Sequence, residues 1–212
     1  GRNTQVGNTL TVTIADTSTT PAGNFATNFD GNNDYVKVGG NSTIINAFDL
    51  GTGEYTIEFW MKTSRGSQWI LFNAATDCGF RIALGSNGGS GNPGKLEINE
   101  QVSNGDYMLT GGTTVNNNQW HHVAFSRASS NSTKIFVDGQ VDAEGQVGRD
   151  MSGSSDLWIG RRSSGGNHFQ GHLYGLRIIK GQALYTSNFT PPTSDLTTTS
   201  QGATANKVQL LA

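Results

Sequence analysis

The chain has 212 residues, 34% hydrophobic and 14% charged, with 29 glycines and a formal net charge of -2; that is room for one large all-β domain or two small ones, and one is expected. No long basic or acidic run stands behind the charge, so composition argues against nucleic acid and against a charged membrane surface as partners. No stretch approaches the roughly 18 apolar residues of a membrane-spanning helix, the opening "GRNTQVGNTL" has no apolar signal core, and the single Cys78 has no second cysteine for a disulfide or a structural zinc site.

In chain order, "NTLTVTIADTSTTPAG" alternates at "TLTVTI" and reads as a strand followed by a Thr-rich spacer, residues 1–24. Next, "FDGNND" supplies Asp30, Asn32, Asn33 and Asp34, oxygen donors of the kind a hard cation takes. Asp30, Asn33 and Asp34 are the candidate ligands of a structural calcium ion. The loop is no EF-hand, because Tyr35 stands where the glycine belongs and Asn41 where the bidentate glutamate belongs. A hairpin turn between "NF" and "YVKV" is the alternative reading.

"YTIEFWMK" sends Ile57, Phe59 and Met61 to one face and Thr56, Glu58, Trp60 and Lys62 to the other, which predicts a half-buried strand. "QWILF", "FRIAL", "KLEINE", "KIFVD", "DLWIG" and "HLYGLRII" read as further strands, separated by turn sequences such as "GSNGGSGNPG", "NGDY", "DG" and "SSGGNH". No segment carries a convincing helical period. Many short strands punctuated by turns predict an all-β sandwich or jelly roll.

Two adjacent histidines in "QWHHVAFSR" invite a metal or catalytic reading. On a strand, His121 goes with Val123, Phe125 and Arg127, and His122 with Trp120, Ala124 and Ser126. The pair therefore points to opposite sides of a sheet and cannot grip one metal; strand packing is the expectation.

"WHHVAFSR", a polar turn and "KIFVDGQ" resemble the W-H … V-D-G hairpin of laminin-G-like domains, whose fold is the concanavalin A-type jelly roll. "FATNFDGNNDYVKV" is similar to that family's opening hairpin, "YTIEFWMKT" to its next core strand, "LWIGRR" to a later strand and "FQGHLYGLRIIKGQAL" to its closing strand. The likeness runs roughly from Phe25 to Thr193, so residues 25–196 are expected to form the jelly roll and 197–212 an extension, a final strand or the start of a next module. The resemblance implies a two-sheet antiparallel sandwich of about six or seven strands per sheet, within the ordinary range, with binding loops at a rim or on a concave face.

The fold hosts glycosidases, lectins and adhesion modules, so function has to come from sites. Glycosidases use two carboxyl groups facing one bond, and the E-x-D-x-x-E strand of related glucanases has no counterpart here. In "EINE", Glu97 and Glu100 fall on opposite faces, and no nucleophile motif surrounds Cys78 or His168, so no enzyme is expected. An acidic pair in the closing strand, which completes a calcium site in relatives, is replaced by Tyr174 and Gly175. Where pentraxins place calcium-binding acids, this chain has Arg161 and Arg162.

Those two arginines, with Asn167 and His168 in a glycine-rich loop, offer donors for carboxylate, sulfate or hydroxyl groups. The resemblance also draws Asp77 and Arg81 towards the same rim, and Trp69 is a candidate face for sugar stacking or, equally, a core residue. The closing "GQALYTSNFTPPT" and "NKVQLLA" are similar to the ends of laminin-G-like modules in phage virion proteins. The resemblance implies an extracellular or virion recognition module for host-surface polysaccharide, with other virion proteins as partners and no membrane insertion. A structural or decorating module acting through protein contacts is the alternative.

Overall fold

The computed structural model describes residues 26–74, 78–85, 91–102, 107–128, 132–146, 150–152 and 155–212. The proposed strand at "TLTVTI" and the candidate site residue Asp77 lie outside them. In chain order the elements are β1 (Thr27–Asp30), β2 (Val36–Val38), α1 (Ser42–Ala47), β3 (Tyr55–Lys62), β4 (Gln68–Ala74), β5 (Cys78–Leu84) and β6 (Lys95–Val102). They continue with β7 (Tyr107–Thr114), β8 (Trp120–Arg127), β9 (Ser132–Val137), β10 (Gln140–Gln146), β11 (Leu157–Ile159), β12 (Gln170–Lys180) and β13 (Val208–Leu211).

Among the described residues two antiparallel sheets result. One has seven strands in the order β1-β12-β3-β8-β9-β10, with β13 also paired to β12; the other has six, in the order β2-β11-β4-β5-β6-β7. The all-β two-sheet sandwich read from the sequence is the observed architecture. Ile57, Phe59 and Met61 of β3, Val123 and Phe125 of β8, and Ile178 of β12 face Phe80, Ile82 and Leu84 of β5 and Leu96 and Ile98 of β6 in one continuous core. Each such side chain contributes roughly 1.5–3 kcal/mol on burial, which gives the alternation of "YTIEFWMK" its force.

The opening segment departs from expectation. β1 pairs with β12 in the seven-stranded sheet, whereas β2 pairs with β11 in the six-stranded sheet. "FDGNND" is therefore a crossing between sheets and not a hairpin turn. Helix α1 also escaped the periodicity test, since six residues give less than two turns. It is fixed instead by Asn41, whose side chain accepts the Ile44 N–H at 3.0 Å, and by Ile44 packing on the core.

β3 is not half-buried. Its outward residues Thr56 and Glu58 are as inaccessible as its core face, because residues 182–200 run back across this side of the sheet. Thr56 Oγ1 donates to the Gln182 carbonyl and accepts from the Leu184 N–H. Tyr185 and Phe189 stack at 3.6 Å with their rings 8° apart, and Phe189 packs edge-on against Phe136 and His122. The turn joining β9 and β10 clasps the same segment: Asp138 and Gly139 take φ of 50° and 78°, and the Gly139 carbonyl accepts the Phe189 N–H at 2.8 Å. A side chain on residue 139 would meet that Phe189 carbonyl oxygen at 2.0 Å, so only glycine fits.

Candidate functional site

The histidines separate as the strand period requires. His121 sits at the edge of the sandwich, with Nδ1 2.8 Å from Asp138 Oδ2 and Nε2 3.0 Å from Asn117 Oδ1. Burial pushes the Asp138 carboxyl up, but the bonds from His121 and the His122 N–H outweigh it and hold the group below its ordinary value. His122 points to the other side and is fully buried, its Nε2 3.2 Å from Glu58 Oε2.

Glu58 is the hub of that outer face. Arg177 Nε and Nη2 donate to its Oε1 at 2.8 and 2.5 Å, and the Tyr185 hydroxyl donates to Oε2 at 2.8 Å. Arg177 Nη1 also donates to the Thr197 and Ser200 carbonyls at 2.7 and 3.0 Å. Desolvation alone raises the Glu58 pKa; the His122 bond and the Arg177 charge reverse this and leave it lowered. Burial and the Glu58 charge push the Tyr185 hydroxyl up, so it stays protonated as a donor. A carboxylate fixed by four hydrogen bonds from three partners beneath a covering segment is an anchor for that segment, and it has no access to a substrate.

The open chemistry lies at one end of the six-stranded sheet. β11 runs antiparallel to both β2 and β4, placing Trp158 beside Lys37 and Phe72. After Ile159 the chain turns at Gly160, whose φ of +87° and whose missing Cβ, which would lie 2.7 Å from the Phe29 ring, both require glycine. The 161–168 loop follows. Arg161 Nε and Nη2 donate to the carbonyls of Arg162 and Ser163, each at 3.0 Å, and Arg162 Nε donates to the Gly165 carbonyl at 3.0 Å. Arg162 and Asn167 are exposed, whereas Arg161 and His168 are half-buried. The Asn167 carbonyl accepts the Trp69 N–H at 2.9 Å, and the His168 carbonyl accepts from Arg65 at 3.5 Å.

Of the residues singled out from sequence, Arg161, Arg162, Asn167 and His168 thus share one loop, with Trp69 beneath it. Trp69 offers no stacking face: only 3% of it is exposed, and its ring packs in a cluster with Phe72 and Ala83. Arg81 is on β5, its guanidinium 5.4 Å from the Phe72 ring, about two strand spacings from Trp158, or roughly 10 Å. The turn of "NAATDCGFR", residues 75–77, lies outside the described residues. At β4 the Trp69 N–H meets the Asn167 carbonyl, while Asn73, towards the other end of the strand, donates to the Ser155 carbonyl at 2.8 Å.

Sequence reasoning passed over Tyr35, Lys37 and Trp158. Tyr35 is 46% exposed, its ring 5.4 Å from that of Trp158 and tilted by 43°. The Arg161 guanidinium lies 4.6 Å from the Tyr35 ring and 4.8 Å from the Trp158 ring, and Lys37 Nζ is 5.0 Å from Trp158. The signal was there in "YVKV", where Val36 and Val38 pack on the core and alternation turns Tyr35 and Lys37 outward.

Of the calcium ligands proposed at Asp30, Asn33 and Asp34, the two carboxylates accept backbone N–H groups. Asp30 Oδ1 accepts the Asn32 and Asn33 N–H groups at 2.7 and 3.4 Å, and Asp34 Oδ2 accepts the Asp30 N–H at 2.9 Å. The Asn32 bond is the chief cause of the lowered pKa of Asp30. Among the described residues no cluster of three or more histidine, cysteine or acidic side chains is arranged to hold a metal. Through these bonds the two carboxylates order the turn.

A family model described as the Concanavalin A-like lectin/glucanases superfamily, of laminin G type, matches residues 30–185, more than half of the chain. The chain belongs to this superfamily. Among solved structures of this fold, a Bacteroides ovatus protein described as carbohydrate-binding shares 20% identity at a TM-score of 0.56, over 74% of this chain and 44% of that one. The binding domain of Paraclostridial Mosquitocidal Protein 1 shares 14% at 0.60, over 76% and 41%. Mouse laminin α1 domains LG4-5 share 14% at 0.57, over 82% and 47%. The chain spans less than half the length of each of these proteins. A search of curated proteins finds no match. Among the described residues, no helix is long and apolar enough to cross a membrane.

Proposed function

We propose that this chain is a non-enzymatic recognition module of a larger extracellular protein, binding surface glycan through the loops at the β11 end of the six-stranded sheet. The observation that carries this reading is the contrast between the two sides. The outer face of the seven-stranded sheet is covered by the chain's own residues 182–200, and Glu58 there is fixed by four hydrogen bonds from Arg177, His122 and Tyr185. The β11 end instead presents exposed Arg162 and half-exposed Arg161 on a glycine-rich loop beside the exposed Tyr35.

Membership of a lectin-type superfamily and the likeness to a protein described as carbohydrate-binding support the same reading. The finer setting, a phage virion or tail-fibre protein recognising a host polysaccharide alongside other virion proteins, rests on the resemblance of the closing segments. Labelling of virions by an antibody to the chain tests it. A glycan array probed with this chain tests the binding itself, and the expected result is a small set of bound saccharides with weaker signal at raised salt.

One observation favours the second reading, a structural or decorating module. β13 pairs with β12 along one edge, and its other edge faces no strand among the described residues; such an edge is a template for protein contact. An array without a bound saccharide at millimolar glycan, together with self-association of the chain, would replace the first reading by this one.

A further inference from the structure

We propose that Tyr35, Trp158 and Arg161 form a subsite for one pyranose ring of an acidic glycan, the sugar stacking on Tyr35 while its carboxylate or sulfate meets Arg161. This deepens the glycan-binding reading above and rests on it. Isolated exposed apolar residues are ordinary on protein surfaces. Tyr35 is not isolated: the residue is 46% exposed, and its ring leans on a second aromatic ring and on a guanidinium. An aromatic body with a polar edge is the side chain that binds a face of C–H groups while its hydroxyl reaches the sugar's own hydroxyls.

Arg161 supplies the charge in a fixed plane. Its Nε and Nη2 are committed to the carbonyls of Arg162 and Ser163, its Cζ lies over both rings, and Gly160 sets the turn from which it departs. Nη1 meets no acceptor among the described residues, so it is held ready for an incoming one. Ordering a long side chain beforehand removes much of the entropy that binding would otherwise cost. A guanidinium is also the cation best matched to carboxylate and sulfate oxygens.

The neighbouring carboxylates leave that charge unpaired. Asp156 is held by Lys37 at 2.6 Å and by the Gly40 N–H at 3.0 Å, and Asp34 accepts the Asp30 N–H. Lys37 is therefore balanced already, and Arg161 is the cation that selects.

The test measures binding of neutral, carboxylated and sulfated forms of the same galactan and glucan oligosaccharides to the unaltered chain and to Tyr35→Ala, Tyr35→Phe, Arg161→Gln and Arg161→Lys. The expected result is tighter binding of charged forms by the unaltered chain, by about tenfold or more. Tyr35→Ala loses affinity for every form, and Tyr35→Phe retains most of it. Arg161→Gln erases the preference for charge, and Arg161→Lys keeps it in part. The carboxylated and sulfated arms show which anion is selected. Unchanged melting temperatures confirm intact folding, as expected for side chains at this exposure. Undiminished binding of charged forms by both Tyr35→Ala and Arg161→Gln would overturn the subsite while leaving glycan binding in place. Equal binding of neutral and charged forms by the unaltered chain would overturn the charge assignment. Absence of binding to every saccharide would overturn both the subsite and the reading it rests on.

Discussion

Glu58 shows how much a single residue can be asked to hold. With its side chain fully buried and bonded to Arg177, His122 and Tyr185, Glu58→Gln would strand the Arg177 charge, and breaking a buried pair of this kind costs about 3–5 kcal/mol. Denaturant unfolding measures the loss. The pH dependence has a definite sign: the folded pKa lies below the ordinary 4.5, so this contribution is present above about that value and declines as pH falls through the lower, folded one. Glu58→Gln should therefore flatten the acid side of the stability profile, and a profile parallel to the parent's would show that Glu58 ionisation is unimportant. Little of this was legible in the sequence. Alternation placed Glu58 and His122 on one face of their strands, but their partner Tyr185 is 127 residues away from Glu58, and no local pattern announces a contact at that distance. For Trp69 the sequence left stacking face and core both open, and burial decides for the core, because periodicity assigns a face and does not reveal what covers it.

At the scale of elements, the covering segment and the β1–β2 crossing make separate predictions. Phe189→Ala removes a stacked partner from Tyr185 and an edge contact from His122, and should cost at least the ~0.5–1.5 kcal/mol that one aromatic pair contributes. Faster hydrogen exchange of β3 and β8 amides would accompany it if the segment loosens as a unit. For the crossing, the carboxylates of Asp30 and Asp34 already have backbone N–H partners, so chelator or added calcium should leave the melting temperature unchanged. A rise with calcium would instead show a ligand bound to the folded state alone. The strands themselves were the readable part: "YTIEFWMK", "KIFVD" and "HLYGLRII" each gave a strand where their period indicated. The crossing was misread because "FDGNND" has the composition of a tight turn whether the two flanking strands share a sheet or, as here, enter different ones.

For the whole molecule, the sandwich leaves its two outer faces in different states, and that difference decides where a ligand can approach. The seven-stranded sheet is closed by the returning chain, whereas the β11 end of the six-stranded sheet carries Arg161 and Arg162 on a loop that makes its hydrogen bonds largely to itself. Loop charges of this kind contribute little to stability, with exposed pairs typically at about 0–1 kcal/mol, so Arg161→Ala combined with Arg162→Ala should leave the melting temperature near the parent's and remove binding of acidic glycan. Salt should act on the parent in the same direction, since at physiological ionic strength screening already sets in over about 8 Å and shortens as salt is added. A plot of affinity against salt that is steep for the parent and flat for the double variant would locate the charge contribution in this loop. Equal slopes would move it to other cations of the chain, and the β11 end would then lose its claim to the ligand.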